Sequence, residues 1–295
     1  MCSSPIAVVF PGQGSQASGL GRRWLDRPEW QVVLDAEAAT GASFAHLLLD
    51  ADARELASTR ASQMTVLLAS LMAWQEEAPT LDPESIVGVA GHSLGQITAL
   101  IAAGAVSPED GYRLALARAE ASEATQRRRP GGLVALLGAD PTMASAVCAA
   151  LTTGPAWVAT LNGAGQVAIG AEVAVLDEVE SVARTLGCRR ATRLAVDGAF
   201  HTPLHQPTAD ALDATLAGIT FRSPYWPVVT NHDALPVAEA SGWPARLAAH
   251  LVNPVRWQDT VEQLVSLGAR RFVEVGPGST LTGLIRRIAP ELEAA

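Results

Sequence analysis

The sequence predicts an α/β fold in two parts, a large unit on a buried parallel sheet and a smaller unit inserted into it. Three observations predict this. Two short apolar runs, Ile6 to Phe10 and Ile86 to Ala90, lack polar alternation, the pattern of strands covered on both faces. Each run ends in a Gly-rich turn, and helical spacing of apolar positions occupies residues 62–78 between them. Past residue 130 the pattern changes to β-α-β-β-α-β, the ferredoxin-like signature, before helix returns after residue 201.

Taken in order, the first strand runs into Pro11-Gly12-Gln13-Gly14-Ser15, and the second leads into Gly91-His92-Ser93-Leu94-Gly95 and a helix over 96–103. A further helix starts at Ser107-Pro108-Glu109-Asp110, where Ser caps, Pro suits the first turn and the acids meet the positive end of the helix dipole; it runs to about 126. Arg127-Arg128-Arg129-Pro130-Gly131-Gly132 breaks the pattern and marks the crossing into the second unit. That unit reads as strand 133–137, helix 141–151, strands 156–162 and 166–170, helix 173–187 and strand 189–196. The remainder reads as helix 203–217, strand 228–230, helices from Trp243 and Trp257, and strand 271–275 closed by Gly276-Pro277-Gly278.

Composition narrows the chemistry. With 295 residues, 48% of them hydrophobic, the chain can bury a substantial core. A net charge of -9 argues against neutralising a nucleic-acid backbone. All 21 basic residues are Arg, which excludes lysine Schiff-base chemistry and a Lys-dependent phosphate loop. Cys2, Cys148 and Cys188 form no CxxC pair, so neither a disulfide framework nor a cysteine-rich metal site is expected, and a reducing cytoplasm fits. No signal peptide is read, because the first apolar run stops at Pro11-Gly12. The apolar stretch 86–106 carries His92, Ser93 and Gln96, which suits a buried strand, turn and helix better than a membrane span.

Gly91-x-Ser93-x-Gly95 between a strand and a helix has the context of a nucleophile elbow. Unpaired backbone amides at that helix start, with Leu94 and the turn at Gln13 as the candidates, would hold an oxyanion. A serine needs a base, and His201 follows a predicted strand at the entrance to a helix, where catalytic residues are common. Of the other histidines, His92 is expected to point elsewhere, His46, His232 and His250 to be solvated or at helix ends, and His205 to lie on a helix face.

Phe10-Pro11-Gly12-Gln13-Gly14-Ser15-Gln16, Gly91-His92-Ser93-Leu94-Gly95, Ala199-Phe200-His201, Asn253-Pro254-Val255-Arg256-Trp257 and Glu274-Val275-Gly276-Pro277-Gly278 together resemble the malonyl-CoA:acyl-carrier-protein transacylase family. The resemblance spans almost the whole chain. It implies an α/β-hydrolase-like large subdomain over 1–130 and 198–295, an inserted ferredoxin-like subdomain over 131–197, and an active site between them. Residue by residue, it implies Ser93 as nucleophile, His201 as general base, and the amides of Gln13 and Leu94 as oxyanion hole. Arg118 would bind a malonyl carboxylate, with Gln63 lining the cleft; a backbone carbonyl and nearby amide groups at the Asn-Pro-Val motif would orient the histidine, with Asn253 the candidate. Gly198-Ala199-Phe200-His201 resembles the signature that accompanies malonyl units in polyketide acyltransferases, where Phe200 would fill the room a 2-methyl group needs. Position 198 departs from that signature, which usually has His there. The neighbours of Arg118, Ala117 to Ser122, are also smaller than the family's usual pattern.

The implied activity is transfer of a malonyl-type group from CoA to the phosphopantetheine thiol of an acyl carrier protein, through an acyl-serine, with no bound cofactor or metal. The chain is expected to be a freestanding cytoplasmic monomer acting in trans in polyketide or fatty-acid synthesis, with no nucleic-acid or membrane partner. Arg127 to Arg129, Arg189 and Arg190 are candidate contacts for an acidic carrier. Transfer of an unusual or carrier-borne acyl group, an editing thioester hydrolase on the same scaffold, and a non-catalytic docking subunit are the competing readings.

Overall fold

The computed structural model describes residues 4–163 and 165–295, so Cys2 lies outside the described residues. In chain order the elements are β1 (Ile6–Phe10), α1 (Gln31–Thr40), α2 (Ala45–Leu49), α3 (Thr59–Glu77), β2 (Ile86–Gly91), α4 (Gly95–Ala102) and α5 (Pro108–Arg128). Next come β3 (Gly131–Leu137), α6 (Pro141–Ala149), β4 (Ala156–Gly163), β5 (Gln166–Glu172), α7 (Leu176–Thr185) and β6 (Arg190–Arg193). The chain finishes with α8 (Gln206–Ala217), β7 (Val228–Val229), β8 (Pro236–Val237), α9 (Trp243–Val252), α10 (Trp257–Ser266), β9 (Arg271–Glu274), α11 (Thr280–Ile288) and β10 (Glu293–Ala294).

The fold is α/β, with a six-stranded and a four-stranded sheet. The larger has the order β10-β9-β1-β2-β7-β8 and is parallel except for the β7–β8 pair at its edge. Its central strand β1 is buried at every position: Ile6, Val8 and Phe10 join the core on one face, while Ala7 and Val9 join the core on the other. Apolar cover on both faces is why this strand reads as an unbroken hydrophobic run. The smaller sheet is antiparallel, with the order β4-β5-β3-β6, and Val134, Leu136, Val167 and Ile169 form a separate core with α6 and α7. The chain just before α10 pairs with the smaller sheet at β4, where Val255 donates to the Ala159 carbonyl and its own carbonyl accepts from Leu161.

Helix ends follow local chemistry. Ser58 and Ser107 accept hydrogen bonds from Ala61 and Asp110 at the starts of α3 and α5, and Pro108 opens α5. Most boundaries differ from the sequence expectation by a few residues, and those at α5, β3 and β6 bear on the crossing between the units. Helix α5 runs on through Arg128, and Gly131 and Gly132 pair with Glu172 and Ala171 inside β3, so the expected break over 127–132 shrinks to Arg129-Pro130. Strand β6 is an edge strand only four residues long, with register on β3 alone, so it stops short of Val196. The sequence reading omitted α1, α2, α11 and the edge strands β8 and β10. Two-residue strands carry no alternation to read. Among the described residues no helix is long and apolar enough to cross a membrane.

Candidate active site

Ser93 sits where β2 turns into α4, and the turn is built from backbone contacts. His92 donates its amide to the Phe10 carbonyl at 3.0 Å, and Gly95 donates to the His92 carbonyl at 2.9 Å. A Cβ on Gly91 would stand 1.9 Å from the Gly95 carbonyl oxygen, and one on Gly95 would stand 2.2 Å from that of Phe10. Only glycine closes this turn. Ser93 itself has φ 53, a left-handed conformation that costs a non-glycine residue about 1–3 kcal/mol.

Asn231, buried at the end of β7, offsets that cost. Its side-chain oxygen accepts from the Ser93 amide and its side-chain amide donates to the Gly91 carbonyl, both at 2.8 Å. Its backbone amide donates to Gln96 Oε1 at 2.8 Å, and its carbonyl accepts from Arg256 at 2.8 Å. Its side chain and backbone amide are therefore spent on the turn and the helix after it, and its carbonyl ties it to the segment before α10.

His201 approaches from the segment before α8, also with positive φ, 61. Its Nε2 lies 2.7 Å from Ser93 Oγ, and its Nδ1 lies 2.8 Å from the backbone carbonyl of His250 in the last turn of α9. A carbonyl only accepts, so Nδ1 carries the proton and Nε2 presents a lone pair to the serine hydroxyl. The ring stacks on that of His250, 4.9 Å between centroids and 29° from parallel. Burial and then the Arg118 charge hold His201 well below the usual imidazole range, against the opposing pull of the His250 carbonyl. It is therefore neutral near pH 7.

Arg118, in mid α5 and only 4% exposed, completes the cluster. One guanidinium nitrogen donates to Gln63 Oε1 on α3 at 2.6 Å, and another to Ser93 Oγ at 3.1 Å. Among the described residues no carboxylate pairs with it. Burial lowers its pKa to about 10, so it stays cationic near neutrality. A buried cation without a counter-ion carries a large desolvation cost, which an incoming anion would relieve. Gln63 in turn donates to Gln13 Oε1 at 3.4 Å. The backbone amides of Gln13 and Leu94 have no partner among the described residues, and Leu94 immediately precedes α4, where the helix dipole favours negative charge.

A cavity of about 250 Å³ opens above Ser93 and His201, lined from one side by Gly12, Gln13, Gln63 and His92, and from the smaller sheet by Leu133, Thr160, Asn162 and Gln166. Phe200 and Leu284 complete its apolar wall. Among the described residues no group of three His, Cys, Asp or Glu side chains could hold a metal.

Residues 7–292 match the acyl transferase domain family. A Haemophilus influenzae protein named malonyl CoA-acyl carrier protein transacylase is 33% identical, with 98% of this chain and 94% of that protein covered. The chain belongs to this acyl transferase family. An acyl-carrier-protein-S-malonyltransferase from Bartonella henselae superposes with a TM-score of 0.93 at 30% identity, covering 98% of this chain and 94% of that one. A malonyl-transacylase solved in complex with a type II PKS acyl-carrier protein superposes with a TM-score of 0.93 at 32% identity, over 99% and 95% of the two chains.

In this acyl transferase the structure brings together Ser93, His201, Arg118, Gln63, Gln13, Leu94 and Phe200. Asn253 stays outside: it is exposed, and its side-chain amide donates to the Ala249 carbonyl. The carbonyl that meets His201 comes three residues earlier, because α9 ends there and leaves its last carbonyls free. His250 does lie near a helix end, but it is buried at 3% exposure and not solvated. His92 turns away from Ser93 and donates to Asn162 Oδ1 at 2.9 Å, bridging the turn to β4. Asp197 is exposed, and His46 pairs with Glu55 at the surface. Asn231 and the His250 ring escaped the sequence reading. The signal for Asn231 was a polar residue directly after an apolar strand; for His250 there was none beyond helical spacing.

Proposed function

We propose that the protein is a malonyl-CoA:acyl-carrier-protein transacylase in which Ser93 carries the acyl group and His201 is the general base. The observation that carries this reading is Arg118: a buried guanidinium without a counter-ion, 3.1 Å from the Ser93 oxygen. Such a group selects an acyl chain ending in a carboxylate, held in two-pronged fashion by the planar fork, and a neutral chain would leave the charge unpaired. Relatives named for malonyl transfer support the same substrate.

In the first half-reaction Ser93 Oγ attacks the thioester carbon while its proton passes to His201 Nε2. The amides of Gln13 and Leu94 face the oxyanion, the C–S bond breaks, and the leaving sulfur takes the proton back from His201 Nε2, so that CoA departs as the thiol and the imidazole is neutral again. In the second half a phosphopantetheine thiol gives its proton to His201 and attacks the malonyl-serine ester, and Ser93 recovers its proton. The imidazolium formed in each half is stabilised by the His250 carbonyl, and no bound cofactor takes part.

On this reading the large sheet with its helices is an α/β-hydrolase-like subdomain over 1–130 and 198–295. The strand order β4-β5-β3-β6 supports a ferredoxin-like subdomain over 131–197. The enzyme acts as a cytoplasmic monomer in trans, in fatty-acid or polyketide synthesis. Its carrier contacts include Arg189, Arg190 and Arg128, whereas Arg127 and Arg129 already pair with Glu123 and Glu172.

Intact-mass measurement after mixing with malonyl-CoA tests the reading. The expected result is one malonyl adduct on the parent chain and none on Ser93→Ala, with Arg118→Ala losing preference for malonyl over acetyl donors. An adduct that persists in Ser93→Ala, or free malonate as the main product in the presence of carrier, would overturn it.

A further inference from the structure

Phe200 lines the cavity beside Ser93 and His201, and what holds Phe200 is not part of the catalytic cluster. Its ring stacks on the imidazole of His205, 4.8 Å between centroids and 29° from parallel. His205 is 2% exposed and stands at the entry to α8. Its Nδ1 is hydrogen-bonded to Thr208 Oγ at 3.1 Å, and Thr208 to Thr125 Oγ at 2.8 Å. Thr125 lies on α5, two turns beyond Arg118 on the same helix. On the open side of the stack, a Cβ built on Gly198 would come within 3.1 Å of the Phe200 ring and 3.3 Å of His205 Nε2. Gly198 therefore leaves room into which the ring pair would otherwise not fit, and its φ of 145 suits glycine alone.

We propose that His205, pinned by Thr208 and Thr125, is a positioning residue that fixes the Phe200 ring against the acyl pocket and so sets the enzyme's discrimination against 2-substituted malonyl groups. The inference rests on the malonyl-transfer reading and on Phe200 facing the acyl chain. Phe200 has two rotatable side-chain bonds, and a ring free to swing would yield the volume of a methyl group without loss of the residue. The stack removes that freedom on one face, and the Thr208–Thr125 bridge ties the stack to the helix that carries Arg118. The carboxylate anchor and the methyl-excluding ring thus share one rigid support. Burial, with a smaller contribution from Arg118, lowers the His205 pKa to about 4, so the brace stays neutral over the working range of the enzyme.

Steady-state transfer to carrier protein, measured with malonyl-CoA and methylmalonyl-CoA in parallel on the full chain, tests this. Phe200→Ala is the control and raises the methylmalonyl-to-malonyl ratio of kcat/KM. His205→Ala raises the same ratio by about tenfold, the low end of what one methylene decides in an apolar pocket, with malonyl turnover retained. His205→Phe restores a flat ring for the stack and returns the ratio towards the parent value. Thr208→Val, which keeps shape and removes the hydrogen bond, gives a smaller rise. A purely structural role would lower turnover of both donors together and leave the ratio fixed. An unchanged ratio in His205→Ala, while Phe200→Ala moves it, overturns the proposal. If His205→Ala does not fold, an unchanged ratio in Thr208→Val overturns it instead. Should Phe200→Ala also leave the ratio unmoved in an enzyme that transfers malonyl, the role of Phe200 is wrong and the brace falls with it.

Discussion

Ser93 and His201 share a left-handed backbone, φ 53 and 61, but they are held in opposite ways. The serine is placed by the large sheet: a turn closed on the ends of β1 and β2, and one asparagine just past β7 that satisfies both flanks. The imidazole is placed from outside, by a carbonyl and a ring on α9, 49 residues further along the chain. Its own segment contributes short-range bonds, Thr202 Oγ donating to the Ala199 carbonyl at 2.6 Å and the His205 amide to that of Thr202 at 2.9 Å. The proposed nucleophile is thus a property of the large sheet, whereas the proposed base is a property of packing between α8 and α9.

The comparison can be broken most sharply at the reacting pair. His201→Ala lowers steady-state transfer to the carrier on the order of 10⁴-fold, and adding Ser93→Ala to it costs little more in the same assay, since groups that act as one unit are strongly non-additive. Its fold is expected to survive, measured by circular dichroism and thermal melting, because the imidazole makes no contact the large sheet depends on. Losses that simply multiply would show that the two residues do not act together.

Asn231→Ala attacks the other frame. It strands the Ser93 amide and the Gly91 carbonyl, and orphaned buried groups cost about 1–3 kcal/mol each. Stability and activity should therefore fall together, unlike in His201→Ala, and urea unfolding of both variants reads the contrast. An Asn231→Ala chain as stable as the parent would show that the turn needs no outside brace.

Acid gives the most distributed test, with the smallest effect per residue. His92, His201, His205 and His250 are all pushed below the ordinary imidazole range, chiefly by burial. The unfolded chain therefore binds more protons below about pH 6.5, and stability falls as pH drops from there towards each folded value. For His205 that window ends near its folded pKa of about 4. Each histidine contributes at most about 1.4 kcal/mol per pH unit. Unfolding free energies at pH 7.5, 6 and 5 measure the slope, and His205→Phe should reduce it by one residue's share. A flat profile across that range would contradict burial of neutral rings.

What could be read in the sequence follows the same divide. The turn around Ser93 is local, so its glycines, flanking strand and following helix were visible as a pattern of neighbouring letters. Arg118 needed the resemblance, because spacing alone shows a helix and not which face is buried or that no carboxylate awaits the guanidinium. The backbone carbonyl expected near the Asn-Pro-Val motif is present, but it belongs to His250 and not to Asn253, because a carbonyl has no letter: any residue at position 250 would supply it. Asn231 and the Phe200–His205 stack were likewise hidden, since each joins positions brought together only by the fold. The short strands β8 and β10 were missed for a plainer reason, being too brief to show a period.

Gly91 and Gly95 press main chain against main chain at distances no methyl group could enter. The reactive turn is therefore welded to the pairing of β1 with β2, and the protein has no intact sheet in which that turn is relaxed. Heating therefore cannot relax the turn without parting the central strands, and a chain that regains those strands regains the Ser93 geometry in the same step.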